Sequence, residues 1–279
     1  MPNTLKPVQT RGFTLLELLI SMALLGTISA ALFSTLGNTV QVTNGVNANN
    51  DLLREGQMAQ QVLSSAFKEA CYVFPANRVL KLSVEGGYSR RNSFLTISKS
   101  EWTVNTHPIM GIILPPRDTP DLNNLTPDPD AAVSDDKQAP DNNYLFVAYY
   151  AIRRSQYTQN AAASINPGRD PRNDNTAWVL MEYRKRLEPL ALGRPPLCSD
   201  YGGAQINLTG GHANLLLDYI APVSPSTKLF NAVGGNATQG AVSIGYALQL
   251  QRVMPDGSLV RVGNGANLSG NVYPFNLGL

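Results

Sequence analysis

The feature that most constrains the fold is an apolar run that extends from Phe13 to about Leu36. It contains one acid, Glu17, and apart from that acid no charged residue occurs between Arg11 and Asp51. A helix of roughly 24 residues is long enough to cross a hydrocarbon layer about 30 Å thick. The sequence therefore predicts a membrane-spanning helix at residues 13–36.

A short polar leader, residues 1–12, precedes this run. It carries two basic residues, Lys6 and Arg11, and no acid. Positive charge on a short flank of a membrane helix keeps that flank in the cytoplasm. We therefore expect a single membrane pass, with the domain that follows the helix outside the cytoplasm.

The carboxylate of Glu17 is unusual for a membrane helix. An unpaired charge at the helix centre costs roughly 2.5–3.5 kcal/mol on insertion scales, so such groups are usually paired and functional. An interfacial position, from which the carboxylate reaches water, is the alternative reading of Glu17.

The string Gly12-Phe13-Thr14-Leu15-Leu16-Glu17, followed by an apolar helix, resembles the signal of type IV prepilins and of the pseudopilins of type II secretion. The resemblance implies that a prepilin peptidase cleaves between Gly12 and Phe13 and that the new amine of Phe13 is N-methylated. It also implies that Glu17 pairs with the N-terminal amine of a neighbouring subunit during assembly.

Two other kinds of N-terminal segment fit the residues less well. A secretory signal peptide has a shorter apolar core, no embedded acid and a small-residue cleavage site, for which only Ser29-Ala30-Ala31 is available. An ordinary membrane anchor needs neither the junction of Gly12 with Phe13 nor the acid at Glu17.

Composition sets the size and character of the remainder. The chain has 279 residues, a formal net charge of +2 and 43% hydrophobic residues. About 200 residues follow the N-terminal helix, which suffices for one globular domain with its own core. The small net charge gives no global argument for binding nucleic acid. Plentiful glycine and proline favour strands and loops over further long helices.

An amphipathic pattern continues the helix through residues 37–74. Met58 and Val62 widen the apolar stripe, whereas the polar stretch 43–50 weakens the helical pattern locally. Pro75 makes continuation past Phe74 unfavourable. The residues that define the stripe recur at helical spacing and are Leu52, Ala59, Leu63, Ala66, Phe67 and Ala70.

Residues 75–279 are predicted to form an extracytoplasmic β-rich domain, so the fold class is α+β: a long N-terminal helix packed on an antiparallel sheet with long irregular loops. Tyr144–Arg153 and Ala177–Leu187 read as two antiparallel strands, and Pro255-Asp256-Gly257 reads as a hairpin turn. The other candidate strands are Arg78–Val84, Ser93–Ser98, Ile109–Leu114, Ala241–Val253 and Leu259–Val262.

This order of elements resembles the PilW/PulJ type of large minor pilin. The resemblance implies a structural subunit that enters or primes pilus filaments for adhesion, twitching motility or DNA uptake. A minor pseudopilin of a type II secretion system and a membrane-anchored adhesion or ligand-binding module are the alternatives. The partners implied are other pilin or pseudopilin subunits, prepilin peptidase and an inner-membrane assembly platform. The precursor would lie in the inner membrane, and the assembled protein in a pilus, in the periplasm or at the cell surface.

Cys71 and Cys198 are the only cysteines. An even pair in a translocated domain favours a disulfide, which would tie the end of the helix to the later part of the domain. Two separate buried thiols are the alternative.

Three basic clusters stand near predicted strands: Arg90-Arg91, Arg153-Arg154 and Arg184-Lys185-Arg186. If the ends of the two central strands lie side by side, five basic residues converge on one surface that could contact DNA phosphates. The alternative is a solvated strand end, or ion pairs with acidic loops.

No pattern in the sequence indicates catalysis, a metal or a cofactor. Neither His107 nor His212 has a second ligand at useful spacing or a neighbouring nucleophile signature. An acidic segment between residues 115 and 143 matches no calcium-binding loop and reads as solvated, with a calcium site as the alternative. Its acids are Asp128, Asp130, Asp135, Asp136 and Asp141. We therefore expect a structural protein and no enzyme.

Overall fold

A computed structural model describes residues 14–82, 87–95, 99–116, 143–190, 192, 194, 196–203, 206–224, 228–263 and 268–275. The chain divides into two compact units, residues 1–47 and residues 48–279. In the first unit the described residues form one stretch of helix with an exposed surface. The second unit is an α+β domain, as predicted.

Three helices, one 3₁₀ turn and twelve strands are described. The helices are α1 (Leu15–Glu69), α2 (Arg154–Thr158) and α3 (Asp200–Gly203), and the 3₁₀ turn is Tyr88–Arg90. The strands are β1 (Tyr72–Val73), β2 (Val79–Lys81), β3 (Glu101–Thr103), β4 (Ile109–Leu114), β5 (Leu145–Arg153), β6 (Trp178–Arg186), β7 (His212–Ile220), β8 (Phe230–Val233), β9 (Ser243–Ala247), β10 (Leu250–Val253), β11 (Leu259–Val262) and β12 (Ser269–Val272).

Helix α1 is helical through the polar stretch 43–50, where the sequence pattern was weak. Its buried residues recur at steps of three and four, and this periodicity places them on one face of the helix. Met58 and Val62, predicted to widen that face, are 49% and 39% exposed because they lie on its flank. The buried residues are Ala48, Leu52, Gly56, Ala59, Leu63 and Phe67.

The main sheet has seven antiparallel strands in the order β1-β4-β5-β6-β7-β10-β11. Its centre is the pair β5–β6, which runs in continuous register from Leu145 opposite Arg186 to Arg153 opposite Trp178. This confirms the predicted antiparallel pair. The β10–β11 hairpin closes around Asp256 and Gly257, as the turn signal indicated.

One predicted strand proves to be two. Ala241–Val253 divides into β9, which belongs to a three-stranded sheet of order β12-β9-β8, and β10, which belongs to the main sheet. The backbone changes partners between the two strands: the Leu248 N–H donates to Leu268, while the Gln249 carbonyl accepts from Ala221. The apolar pattern continues across this crossing because both sheets bury the chain.

The other predictions of strands are confirmed in part. Ser93–Ser98 is not a strand over its described residues, because Asn92 accepts hydrogen bonds from the Phe94 and Leu95 amides and turns the chain there. Strand β7 was missed. It pairs irregularly with β6, with register shifts between Trp178 and Met181, so its buried positions do not alternate.

Phe67 joins α1 to both larger sheets. Its ring is fully buried and lies 5.6 Å from the ring of Tyr149 on β5, 6.2 Å from that of Phe230 on β8 and 6.1 Å from that of Tyr246 on β9. The contacts with Tyr149 and Phe230 are edge-to-face, and each contact of this kind stabilises a core by about 0.5–1.5 kcal/mol beyond the area it buries. The end of the helix is thereby fixed where the two sheets meet.

Asn105 covers the free side of β8. Its side-chain amide donates to the Ala232 carbonyl (2.8 Å), and its side-chain oxygen accepts from the Ala232 N–H (2.7 Å). Asn105 has a φ of 64°, a left-handed conformation that asparagine tolerates better than most residues. A single side chain thus takes the place of a neighbouring strand at this position.

At Gly56, α1 packs closely against opposing side chains. A Cβ atom there would lie 2.7 Å from Leu268 Cδ1 and 3.2 Å from Leu250 Cδ1. We expect Gly56→Leu to destabilise the domain by about 1–3 kcal/mol, because the added carbons overfill this packed contact. Denaturant unfolding of the full chain in nonionic detergent measures the loss.

Gly45→Leu is the matched control, since a Cβ at Gly45 meets nothing within 4 Å. It should leave the unfolding transition within about 0.5 kcal/mol of the unmodified protein. Equal effects of the two substitutions would contradict close packing at Gly56.

Candidate functional site

The first turn of α1 is closed by a reciprocal pair of hydrogen bonds. Glu17 Oε2 accepts from the Thr14 N–H (2.9 Å) and from the Thr14 hydroxyl (3.0 Å), while the Glu17 N–H donates to Thr14 Oγ1 (3.3 Å). Thr14 directly precedes the first helical residue, so the two side chains form a capping box. The sequence signal for it, Thr-x-x-Glu before an apolar run, was present but was not used in the prediction.

The capping box leaves the Glu17 carboxylate accessible. A carboxylate offers about four acceptor sites on its two oxygens, and in the described residues Thr14 uses only Oε2. The acid is exposed, so a cation can reach it from outside the chain. Gly12 and Phe13, the predicted cleavage and methylation residues, lie outside the described residues.

The helical surface that follows Glu17 is apolar and uncovered by the chain itself. An 18-residue window of α1 has a mean hydropathy of 2.0, and none of it is buried. By length and composition this helix can cross a membrane. Its largest side chains include Leu15, Leu16, Leu19, Met22, Leu25, Ile28, Leu32, Phe33 and Leu36, all more than half exposed.

Residues 9–33 match the family model described as the prokaryotic N-terminal methylation motif. This match and the long apolar helix fit a type IV prepilin-like protein, which confirms the resemblance in the signal sequence. The motif implies processing by prepilin peptidase and assembly with other pilin subunits in general. Among curated proteins and solved structures, none matches the chain.

Cys71 and Cys198 are joined in a disulfide, with their Cα atoms 5.9 Å apart and a sequence separation of 127. Cys71 comes two residues after the end of α1, and Cys198 lies in the turn before α3. Both residues are buried. The bond therefore closes a loop that contains β1 to β6.

We expect a non-reducing peptide map to contain the Cys71 and Cys198 peptides as one linked species. In the chain-entropy model, closure of so long a loop stabilises the fold by up to about 4–5 kcal/mol, so reduction should lower the unfolding temperature markedly. Labelling of both thiols by an alkylating reagent in unreduced, denatured protein would contradict the linkage.

The five basic residues predicted to converge do not form one surface. Because β5 and β6 are antiparallel, Arg153 lies opposite Trp178, whereas Arg184 lies opposite Val147. Six residues along β5 correspond to about 20 Å. The predicted convergence is wrong, since it required the carboxyl ends of two antiparallel strands to meet.

Arg154 is a buried structural residue. It is 1% exposed, and its guanidinium donates to both carboxylate oxygens of Asp218 (Nε to Oδ1, 2.9 Å; Nη2 to Oδ2, 3.0 Å) and forms an ion pair with Asp174. Nη2 also donates to the Gly168 carbonyl (3.1 Å). These contacts leave Arg154 no access to an external ligand, so it is removed from the candidate DNA contacts.

The segment between β5 and β6 is held down by a second set of polar contacts. Asn173 donates to the Val253 carbonyl (3.0 Å) and accepts from the Val253 N–H (2.7 Å), which fixes the segment to β10. Burial raises the pKa of Tyr219 to about 12, so its hydroxyl stays protonated and donates to Asp170 Oδ2 (3.2 Å). The sequence alone predicted only a polar loop between β5 and β6.

Asp170 stays ionised in this network. Burial raises the pKa of Asp170, but hydrogen bonds from Asn173, Tyr219 and the Arg172 amide outweigh it and hold the pKa below its usual range. Its stabilising contribution is therefore complete above the ordinary Asp pKa of about 3.9. The contribution is lost as the pH falls through the lower pKa of the folded state.

The described residues form no metal site. Within the ranges that the structure describes, no three His, Cys, Asp or Glu side chains are placed to hold a metal ion. Asp128, Asp130, Asp135, Asp136 and Asp141 lie outside those ranges. His107 is a packed side chain: it accepts from the Thr103 N–H (2.8 Å) and stacks on Phe94.

A comparison of Arg154 with its neighbour Arg153 directly tests the structural role assigned to Arg154. Arg154→Met should destabilise the domain by about 3–5 kcal/mol, because it leaves Asp174 and Asp218 without their buried partner. Arg153 is exposed, so Arg153→Met should change stability by no more than about 0.5 kcal/mol. Denaturant unfolding of both variants checks the contrast, and similar losses would contradict it.

Proposed function

We propose that the chain is a minor type IV pilin, a structural subunit that is incorporated into pilus filaments or primes their assembly. The observation that carries the proposal is an acid four residues beyond Phe13, on an apolar helix that the chain leaves uncovered. An exposed apolar surface of this extent is covered by lipid in the precursor or by other helices in an assembly. The proposed role is therefore packing, with no catalytic step.

We propose that four consecutive segments of the chain have separate roles. Residues 1–12 are the leader removed by prepilin peptidase, and residues 13–36 are the membrane and assembly helix. Residues 37–74 continue the helix into the folded domain, and residues 75–279 remain outside the cytoplasm. The precursor lies in the inner membrane, where an assembly platform draws the processed subunit into the filament.

Glu17 has two roles in this proposal. In the separate subunit its carboxylate completes the capping box with Thr14. In the filament the same carboxylate pairs with the methylated amine of Phe13 from a neighbouring subunit. The geometry supports this sequence of events because the capping box leaves carboxylate acceptor sites free for a second donor.

Size and elaboration support a minor subunit. The folded unit of residues 48–279 carries three sheets and long connections between strands. A repeating shaft subunit has to pack identical copies around itself, which favours a smaller and simpler domain. We therefore place the chain at low copy number, at the filament tip or among the subunits that start assembly.

Glu17→Gln separates the two roles of the acid. Glutamine keeps an acceptor for the capping box but carries no charge, so it should be processed normally and yet enter filaments poorly. Loss of one partner from a water-shielded ion pair typically costs about 3–5 kcal/mol. Mass spectrometry of sheared filaments from a pilus-forming host measures both the start of the chain at methylated Phe13 and its abundance.

Thr14→Val is the matched control, since it removes the hydroxyl and leaves the charge. It should be processed and incorporated nearly as well as the unmodified chain. Normal incorporation of Glu17→Gln would overturn the charge-pairing role. A chain that still begins at Met1 in its host would overturn the assignment to prepilins.

A further inference from the structure

A cavity of about 310 Å³ lies beside the β10–β11 hairpin, where the pairing of β7 with β10 ends. Leu250 lies opposite Ile220 in that pairing, and the Ala221 N–H donates to the Gln249 carbonyl (2.8 Å) just beyond it. Pro222 has no N–H with which to continue the ladder. Of these five residues, all except Ile220 line the cavity. The cavity therefore occupies the place at which the chain turns away from β10.

Gln251 is a buried amide that lines this cavity. It is 8% exposed, yet none of the described residues forms a hydrogen bond with its side chain. Buried side-chain amides in folded proteins nearly always have a hydrogen-bond partner, because a buried polar group without one costs free energy. A glutamine amide has two N–H donors and one carbonyl acceptor. Gln251 can therefore pair with a ligand group that contains both an acceptor and a donor.

Arg261 adds a positive charge to the same cavity. It lies directly opposite Gln251 in the β10–β11 register, and side chains of directly opposite residues stand on the same face of a sheet. Arg261 is exposed, and no acid in the described part of the chain forms an ion pair with it. A planar guanidinium binds a carboxylate through two parallel hydrogen bonds. The cavity thus places a carboxylate-binding group beside an amide that has no partner.

We propose that this cavity binds the carboxyl terminus of a peptide. The terminal carboxylate pairs with Arg261, and the last peptide group, which has one N–H and one C=O, pairs with the amide of Gln251. Pro222 and Val262 provide apolar surface for the terminal side chain. Ligand sites usually measure roughly 300–1,000 Å³, so this cavity admits only the end of a chain. The inference goes beyond the proposed filament role, and binding does not depend on assembly.

Four probes test the chemistry of the ligand by isothermal titration calorimetry of the full chain in nonionic detergent. They are N-acetyl-alanyl-alanine, the C-terminal amide of the same dipeptide, acetate, and a decapeptide that ends in the same two alanines. The acid should bind at least about tenfold more tightly than the amide, because only the acid carries the charge that pairs with Arg261. Acetate should bind more weakly than the acid, since it has no peptide group for Gln251.

Three variants assign the contacts to residues. Arg261→Gln should weaken binding of the acid by about tenfold or more and leave binding of the amide unchanged. Gln251→Leu should weaken binding of both, and its unfolding temperature should stay the same or rise, because an apolar group replaces a buried amide that has no partner. A purely structural Gln251 would instead lower that temperature when replaced. Arg153→Gln is the control of equal charge, since Arg153 is exposed at the end of β5.

Equal affinities for the acid and the amide would overturn the proposal, as would equal losses in Arg261→Gln and Arg153→Gln. Acetate that binds as tightly as the acid would replace it with a simple anion site. A decapeptide that binds at least about tenfold more tightly than the dipeptide identifies the ligand as the end of a protein chain, and equal affinity identifies a short free peptide. Both of these last results support the site. None of the outcomes bears on whether Glu17 directs assembly.

Discussion

The first turn of α1 sets a condition that the rest of the molecule has to meet. It places a carboxylate on an apolar helix whose surface the chain itself does not cover. Lipid can cover the apolar groups but not the charge, whereas a bundle of like helices can cover both if it brings a cation to Glu17. The folded domain then has to hold the later part of the helix rigidly. Phe67, buried against rings from both larger sheets, performs that task.

Arg154, unlike the exposed Glu17, is a buried charge, and it lies where β5 ends. The cluster of Arg154, Asp174 and Asp218 as a whole gains little stability relative to three well-packed apolar residues, because its ion pairs must first offset the cost of desolvation. The effect of Arg154 is to fix geometry. It joins β5, the segment after it and β7 through Asp174, Gly168 and Asp218. A connection that would otherwise have many conformations is thereby held in one.

The sequence predicted what depends on local pattern and left open what depends on partners. The helical stripe that contains Leu63 and Phe67 and the antiparallel pair β5–β6 follow from periodicity and are confirmed. The division of Ala241–Val253 between two sheets could not be predicted from the sequence, because the apolar pattern continues from one half to the other.

The candidate site shows the same limit. The motif at Glu17 is local, and residues 9–33 match its family model. The role of Arg154 depends on Asp218, which is 64 residues away in sequence. No local signal distinguishes Arg154, the first residue of α2, from its exposed neighbour Arg153, the last residue of β5.

Asn105 has a consequence for contacts between separate molecules. By occupying both backbone groups of Ala232, it closes the outer margin of the smaller three-stranded sheet at that point. An open strand margin is a template on which another chain can add by backbone pairing. The side chain thus blocks the addition of another strand to the β8 edge of this sheet at Ala232.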